Sequence, residues 1–275
     1  MPNELLRMAN EHIDNAAELR AHCSYAKALA ELDKAEAILD DLDYCDDVRK
    51  IENRCNIERG VVYWNKAVSA GTLELNPELM LEIAKTTEHH CVEDSELQIM
   101  WTRRIVAICG SIIDKTEKTV DLKYEIVRDY VTMNTLLFAT FIKMDNSVTI
   151  ERVIRCLEIT KIQTRNKNEI AFAEWLAGCA LITINKTNEK TQRAVRLVKS
   201  SLQFLSKAPS DNYLFVAAGE GCIAEYHVQR AEYELAEQWY RSAKKSVEAK
   251  HQTAYNAYRA VFSAGLALCQ MRMQK

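Results

Sequence analysis

The chain has 275 residues, enough for one large domain or two small ones, and a chain of that size buries roughly three quarters of its unfolded surface without needing staples. Only 7 glycines and 3 prolines occur, which argues against a turn-rich sandwich, barrel or propeller and against disordered linkers. The net charge of −3 conceals a partition, because residues 1–100 carry 10 basic and 21 acidic groups whereas residues 101–200 carry 17 and 11.

In chain order, apolar periodicity predicts helices over 3–22, 24–42, 47–70, 77–91, 95–113, 118–143, 148–164, 168–186, 189–207, 211–229, 231–249 and 252–272, which pair into six hairpins. Tyr25, Ala28, Leu32, Ala35 and Leu39 recur at three- and four-residue steps, as do Leu97, Trp101, Ile105, Ile108 and Ile112. Those steps keep one helix face buried and do not suit a strand's period of two. Asn76-Pro77 supplies a cap and a first-turn proline, and Pro209-Ser210-Asp211 is a second break of the same kind. Asp145-Asn146-Ser147 and Asn185 to Asn188 are further polar breaks. Connections this short make successive helices antiparallel. The last helix offers Ala254, Ala257, Tyr258, Val261, Phe262, Gly265 and Cys269 as one broad packing stripe.

Two segments repeat each other. Tyr25, Ala28, Leu32 and Ala35 have the same spacing as Tyr233, Ala236, Tyr240 and Ala243, and a small residue, Ala16 or Ala224, precedes each aromatic by nine positions. Alanines at this spacing leave shallow places where a second helix sits, while the larger side chains fill the space between. Ile150, Val153, Leu157 and Thr160, then Thr191, Ala194, Val198 and Ser201, are weaker echoes. The pattern resembles tetratricopeptide repeats, two-helix modules of roughly 34 residues that stack side by side. His12 and Glu220 stand where that family often has tryptophan, and Asp40 and Glu248 where proline often follows. The resemblance implies an all-α superhelix or solenoid of about six antiparallel hairpins, read as a single domain over 1–275 with a subdivision near 143–148 left open. It also implies a protein-binding adaptor or regulator that captures a peptide or helix in a groove.

The polar residues singled out for such capture are Asn10, Asn15 and Arg20 near the beginning and Glu220, His227 and Arg230 near the end. A basic surface is expected at Lys186, Lys190, Arg193, Arg196 and Lys199, following Arg152, Arg155, Lys161, Arg165 and Lys167. Nucleic-acid association through that region is the alternative function, because cations at helical spacing approach successive phosphates. The acidic block from Asp40 to Asp47 falls at a turn and lacks the glycine and spacing of a calcium loop. His89-His90-Cys91 is the densest soft-ligand cluster, but neighbouring side chains on a helix diverge by about 100°.

No phosphate loop, dinucleotide glycine motif or nucleophile elbow occurs, so no cofactor is expected and an unfamiliar all-helical enzyme is the least supported reading. Gly219-Glu220-Gly221 reads as close helix packing, and Trp64, Trp101, Trp175 and Trp239 as separate core contacts. Nine cysteines without paired spacing point to buried free thiols in a reducing cytoplasm. The beginning of the chain does not read as a secretory signal, and no segment has a membrane helix's length of apolar residues. A cytoplasmic location is expected, with signal-free secretion or delivery into a host cell left open. The expected partner is a protein or peptide; self-association is a further option.

Overall fold

A computed structural model describes residues 2–72, 76–91, 95–116, 122–141, 150–184, 188–207, 212–248 and 254–274. Twelve α-helices and no strands occur among them. In chain order they are α1 (Pro2–Ala21), α2 (Tyr25–Asp40), α3 (Asp46–Ser69), α4 (Pro77–His90), α5 (Ser95–Lys115) and α6 (Tyr124–Phe141), followed by α7 (Ile150–Gln163), α8 (Lys167–Ile184), α9 (Asn188–Leu205), α10 (Tyr213–Gln229), α11 (Tyr233–Glu248) and α12 (Ala254–Met273). Most ends fall within two residues of those expected. The exception is α6, which begins at Tyr124 after a non-helical bend at the buried Leu122; residues 118–121 of the expected helix lie outside the described residues. No helix among the described residues is long and apolar enough to cross a membrane.

The chain divides into two compact units, Met1–Ile108 and Cys109–Lys275. The subdivision expected near 143–148 lies outside the described residues, as does the Pro209 to Asp211 break.

In the first unit, α1 packs on α2 and α3, α2 on α3, and α3 on α4. The core of the α1–α3 layer is Ala9, Ile13, Ala16, Ala28, Leu32, Ala35, Leu39, Val48, Cys55 and Val62. Ala16, Ala28, Leu32 and Ala35 have no exposed surface, so the small residues sit where neighbouring helices approach most closely. Polar ties then fix the order of the layer: Arg20 Nε donates to Glu58 Oε1 at 2.5 Å, Arg54 reaches Asn10 and Asp14, and Arg59 bonds both Asp33 and Glu36. The charge-rich α3 is therefore a hub that answers α1 and α2.

In the second unit each helix from α6 to α12 packs against the next, and α6 with α8 and α8 with α10 add contacts between helices two apart. Packing of this local kind is consistent with a solenoid of helical hairpins. A contact between α6 and α10 departs from strict neighbour stacking. Ala224, Ala236 and Ala243 are fully buried, and the weaker echoes Val153, Leu157, Thr160, Thr191, Ala194, Val198 and Ser201 are buried too. A Cβ on Gly219 would meet Trp175 Nε1 at 2.6 Å, and one on Gly221 would meet Phe262 Cε1 at 2.6 Å, so the two glycines serve close helix packing. Of the stripe expected on α12, Tyr258, Phe262 and Cys269 are buried and Gly265 packs closely on Tyr240, whereas Val261 is exposed; the side chains of Ala254 and Ala257 lie outside the described residues.

The two clearer copies share a feature that their sequences hide. Cys23 and Ala231, each two residues before the aromatic, adopt positive φ values of 56° and 58°. Ser24 N–H donates to the Leu19 carbonyl at 2.8 Å and Glu232 N–H to the His227 carbonyl at 2.9 Å, closing both preceding helices by the same left-handed turn.

Candidate functional site

A concavity lies in the first unit, between α3 and α4. The first turn of α3 carries Asp46 and Asp47, whose carboxylates suit the positive end of the helix dipole. Its far end is closed by Gly71, where a φ of 70° makes glycine the least strained choice. Asn76 Oδ1 accepts from Leu79 N–H at 3.1 Å and Pro77 occupies the first turn of α4, as the sequence led one to expect. The cap fixes where α4 begins and so where Leu79 stands.

The two helices run antiparallel, with Gly60 facing Thr87 and Asn53 facing His90. At Gly60 the approach is closest: an added Cβ would overlap Thr87 Oγ1 and lie 2.7 Å from its Cγ2. Thr87 is held in that place by donating to the Ile83 carbonyl at 2.7 Å. Beside this contact the helices part around a hollow of about 570 Å³. Tyr63, Ala67, Leu79 and Ile83 give it apolar walls, with Lys66, Glu82 and His90 on its polar margin. Tyr63 and Leu79 remain 40% and 42% exposed, a large apolar surface for one cleft. Burial, aided by neighbouring His89 and opposed by Glu52, pushes the His90 imidazole below its usual range.

A second hollow of about 220 Å³ opens between α2 and α3, and Asn56 lines both. Its base is Leu39, Leu42, Val48 and Cys55, and its margin is Glu36, Asp40, Glu52 and Tyr44. Arg59 occupies Glu36 at 2.9 Å. Asp40 and Glu52 enter no ion pair among the described residues.

The residues expected to read a partner fall into two sets, one in each unit. Asn10 is half-buried, accepting from Arg54 Nη1 at 2.6 Å and donating to the Leu6 carbonyl at 3.1 Å, and Arg20 is held by Glu58. Asn15 is exposed. Glu220 is turned inward, accepting from Ser242 Oγ at 2.6 Å and Ser246 Oγ at 3.1 Å, and burial raises its carboxyl above the usual range. His227 is buried with Nδ1 2.7 Å from Glu232 Oε2, while Arg230 Nε donates to Glu232 Oε1 at 2.9 Å from the surface. Of the basic row, Arg193, Arg196 and Lys199 are exposed on α9; Lys186 and the side chain of Lys190 lie outside the described residues.

His89 and His90 meet edge to face with ring centroids 5.7 Å apart, but His89 is exposed, His90 turns to Asn53 and the Cys91 thiol donates to the Thr87 carbonyl at 3.2 Å. No group of metal-ligating side chains occurs among the described residues. All nine cysteines are free; seven are buried, but Cys23 and Cys45, in the connections before α2 and α3, are exposed.

Sequence reasoning missed two things. The groove is one. The other is an aromatic cage, since Trp64 and Trp101 do converge, with ring centroids 5.3 Å apart and the Arg104 guanidinium 4.5 and 4.2 Å from them. Arg104 Nη1 and Trp101 Nε1 are buried without a hydrogen-bond partner among the described residues, and burial draws the Arg104 pKa down. The ring faces supply part of what a carboxylate would otherwise provide. The sequence matches no protein-family model and no curated protein, so these geometries carry the functional argument.

Proposed function

We propose that the protein is a partner-binding scaffold, adaptor or regulator, a tetratricopeptide-like array of hairpins that captures a peptide or helix of another protein between α3 and α4. The observation that carries this reading is the hollow of about 570 Å³ with Tyr63 and Leu79 left exposed on its walls. A cleft that joins apolar walls to a few polar margins suits an amphipathic segment, which reads out as anchors at helical spacing. The tetratricopeptide-like character is supported by the buried alanines common to both copies and by their shared left-handed turn at Cys23 and Ala231. No cofactor is required for such a role.

Affinity capture with the full chain, followed by direct titration of the strongest partner, tests the reading. Leu79→Asp places a charge on the exposed wall and is expected to weaken that partner at least about tenfold, with unchanged helix content. Equal affinity for the wild type and Leu79→Asp would overturn the assignment to this groove. Turnover of a small molecule without any captured partner would overturn the scaffold role itself.

A second reading draws on the exposed row Arg193, Arg196 and Lys199, which suits an acidic surface or nucleic acid.

A further inference from the structure

We propose that the partner segment is cationic and amphipathic, placing apolar residues against Tyr63, Leu79 and Ile83 and a lysine or arginine in the adjoining hollow beside Asp40 and Glu52. This rests on the capture reading above and gives the chemistry of the partner.

The groove has two unlike ends. Where α3 finishes, Lys66 and Glu82 offset one another around Ala67, Ala70 and Leu79, so that end selects for apolar bulk and not for charge. At the other end burial holds the His90 imidazole below its usual range, and Asn56 lines this hollow and the second one alike. In the second hollow Glu36 is already paired with Arg59, which lines the first hollow and also holds Asp33, whereas Asp40 and Glu52 enter no ion pair among the described residues and Glu52 has only the imidazole of His90 within its field. Below them Leu39, Leu42, Val48 and Cys55 form an apolar base, and Tyr44, 74% exposed, presents an aromatic ring at the margin. Apolar base, unneutralised carboxylates and an open ring together fit one side-chain class. The methylenes of a lysine or arginine lie on the base, its charged head reaches the carboxylates, and the ring face attracts the cation. The wider field has the same sign, since residues 1–100 carry a net charge of −11 from 10 basic and 21 acidic groups, which draws a cationic segment toward this unit.

The test uses the full chain and three fluorescein-labelled amphipathic peptides that share their leucine positions and differ only in having lysine, glutamine or glutamate on the polar face. By fluorescence anisotropy the lysine peptide is expected to bind at least about tenfold tighter than the glutamine peptide. Asp40→Asn combined with Glu52→Gln is expected to reduce that advantage to less than about twofold. All these positions are exposed or partly exposed, and matching circular dichroism and denaturation midpoints establish that the variants fold. Equal binding of the three peptides, with Leu79→Asp abolishing all of it, would overturn the charge assignment and leave groove capture standing. A lysine preference that survives the double substitution would place the cation elsewhere and overturn the inference. Binding of none of the peptides, or binding indifferent to Leu79→Asp, would overturn the capture reading along with it.

Discussion

Cys23 and Ala231 adopt a backbone conformation that an L-residue enters at a cost of about 1–2 kcal/mol, while glycine enters it freely but loses more entropy on folding. The net expectation is that Ala231→Gly stabilises the protein by about 0.5–1 kcal/mol, read as a higher urea midpoint at unchanged slope. No gain would mean that the turn is relaxed in another way. Gly60 is the opposite case, since any side chain there meets Thr87. Gly60→Ala is expected to cost about 1–3 kcal/mol by overpacking, and Thr87→Ala in the same chain to restore part of it, because the clashing Oγ1 and Cγ2 are then gone. Strictly additive losses in the double variant would show that the two residues do not share the contact. The alanines were legible in the sequence because their spacing is itself the packing rule. The left-handed turns were not, because neither position carries glycine, the usual mark of that conformation.

At the scale of elements, α10 explains why Glu220 and His227 face inward although they are polar. It contacts α6, α8, α9 and α11, so most of its surface faces other helices; Glu220 and His227 fall on covered sides, whereas Glu225 stays exposed. Glu220 accommodates this by accepting from two serines of α11, with burial the dominant effect on its carboxyl. A carboxyl whose folded pKa is raised favours the fold when protonated; this contribution is full below its unfolded pKa of about 4.3 and is lost as pH rises through the folded value. Glu220→Gln is therefore expected to raise the thermal midpoint at pH 7, with the gain vanishing below about pH 4. A gain that is the same at both pH values would exclude ionisation as its cause. Ala236, fully buried where α11 meets its neighbours, sets a second test of the hairpin: Ala236→Leu is expected to lose about 1–3 kcal/mol, measured by denaturant titration. An unchanged midpoint would count against the tight nesting.

For the whole molecule, a net charge of −3 is a poor guide to its surfaces. The acidic excess of the first hundred residues and the exposed Arg193, Arg196 and Lys199 on α9 belong to different units. Exposed charges act over about 8 Å at physiological salt, so each field is felt mainly by whatever docks nearby. If nucleic acid were the partner, binding to random-sequence duplex would weaken with salt at a log–log slope of about −0.9 for each phosphate neutralised. Charge reversal of Arg193 and Arg196 would flatten that slope. The capture reading expects negligible affinity for the same duplex at physiological salt, and tight, salt-steep binding would favour the alternative.

The sequence by itself determined the helices, most of their ends, and the small residues on which they nest, since periodicity and capping act within a few residues along the chain. It did not determine where those helices leave a gap. The groove combines Tyr63 and Lys66 from α3 with Leu79 and Ile83 from α4, and the cage unites Trp64 with Trp101 and Arg104; both depend on how far one helix stands from another. For the groove that distance is set at Gly60 and Thr87, a contact between residues on separate helices, and only the tertiary structure brings them together.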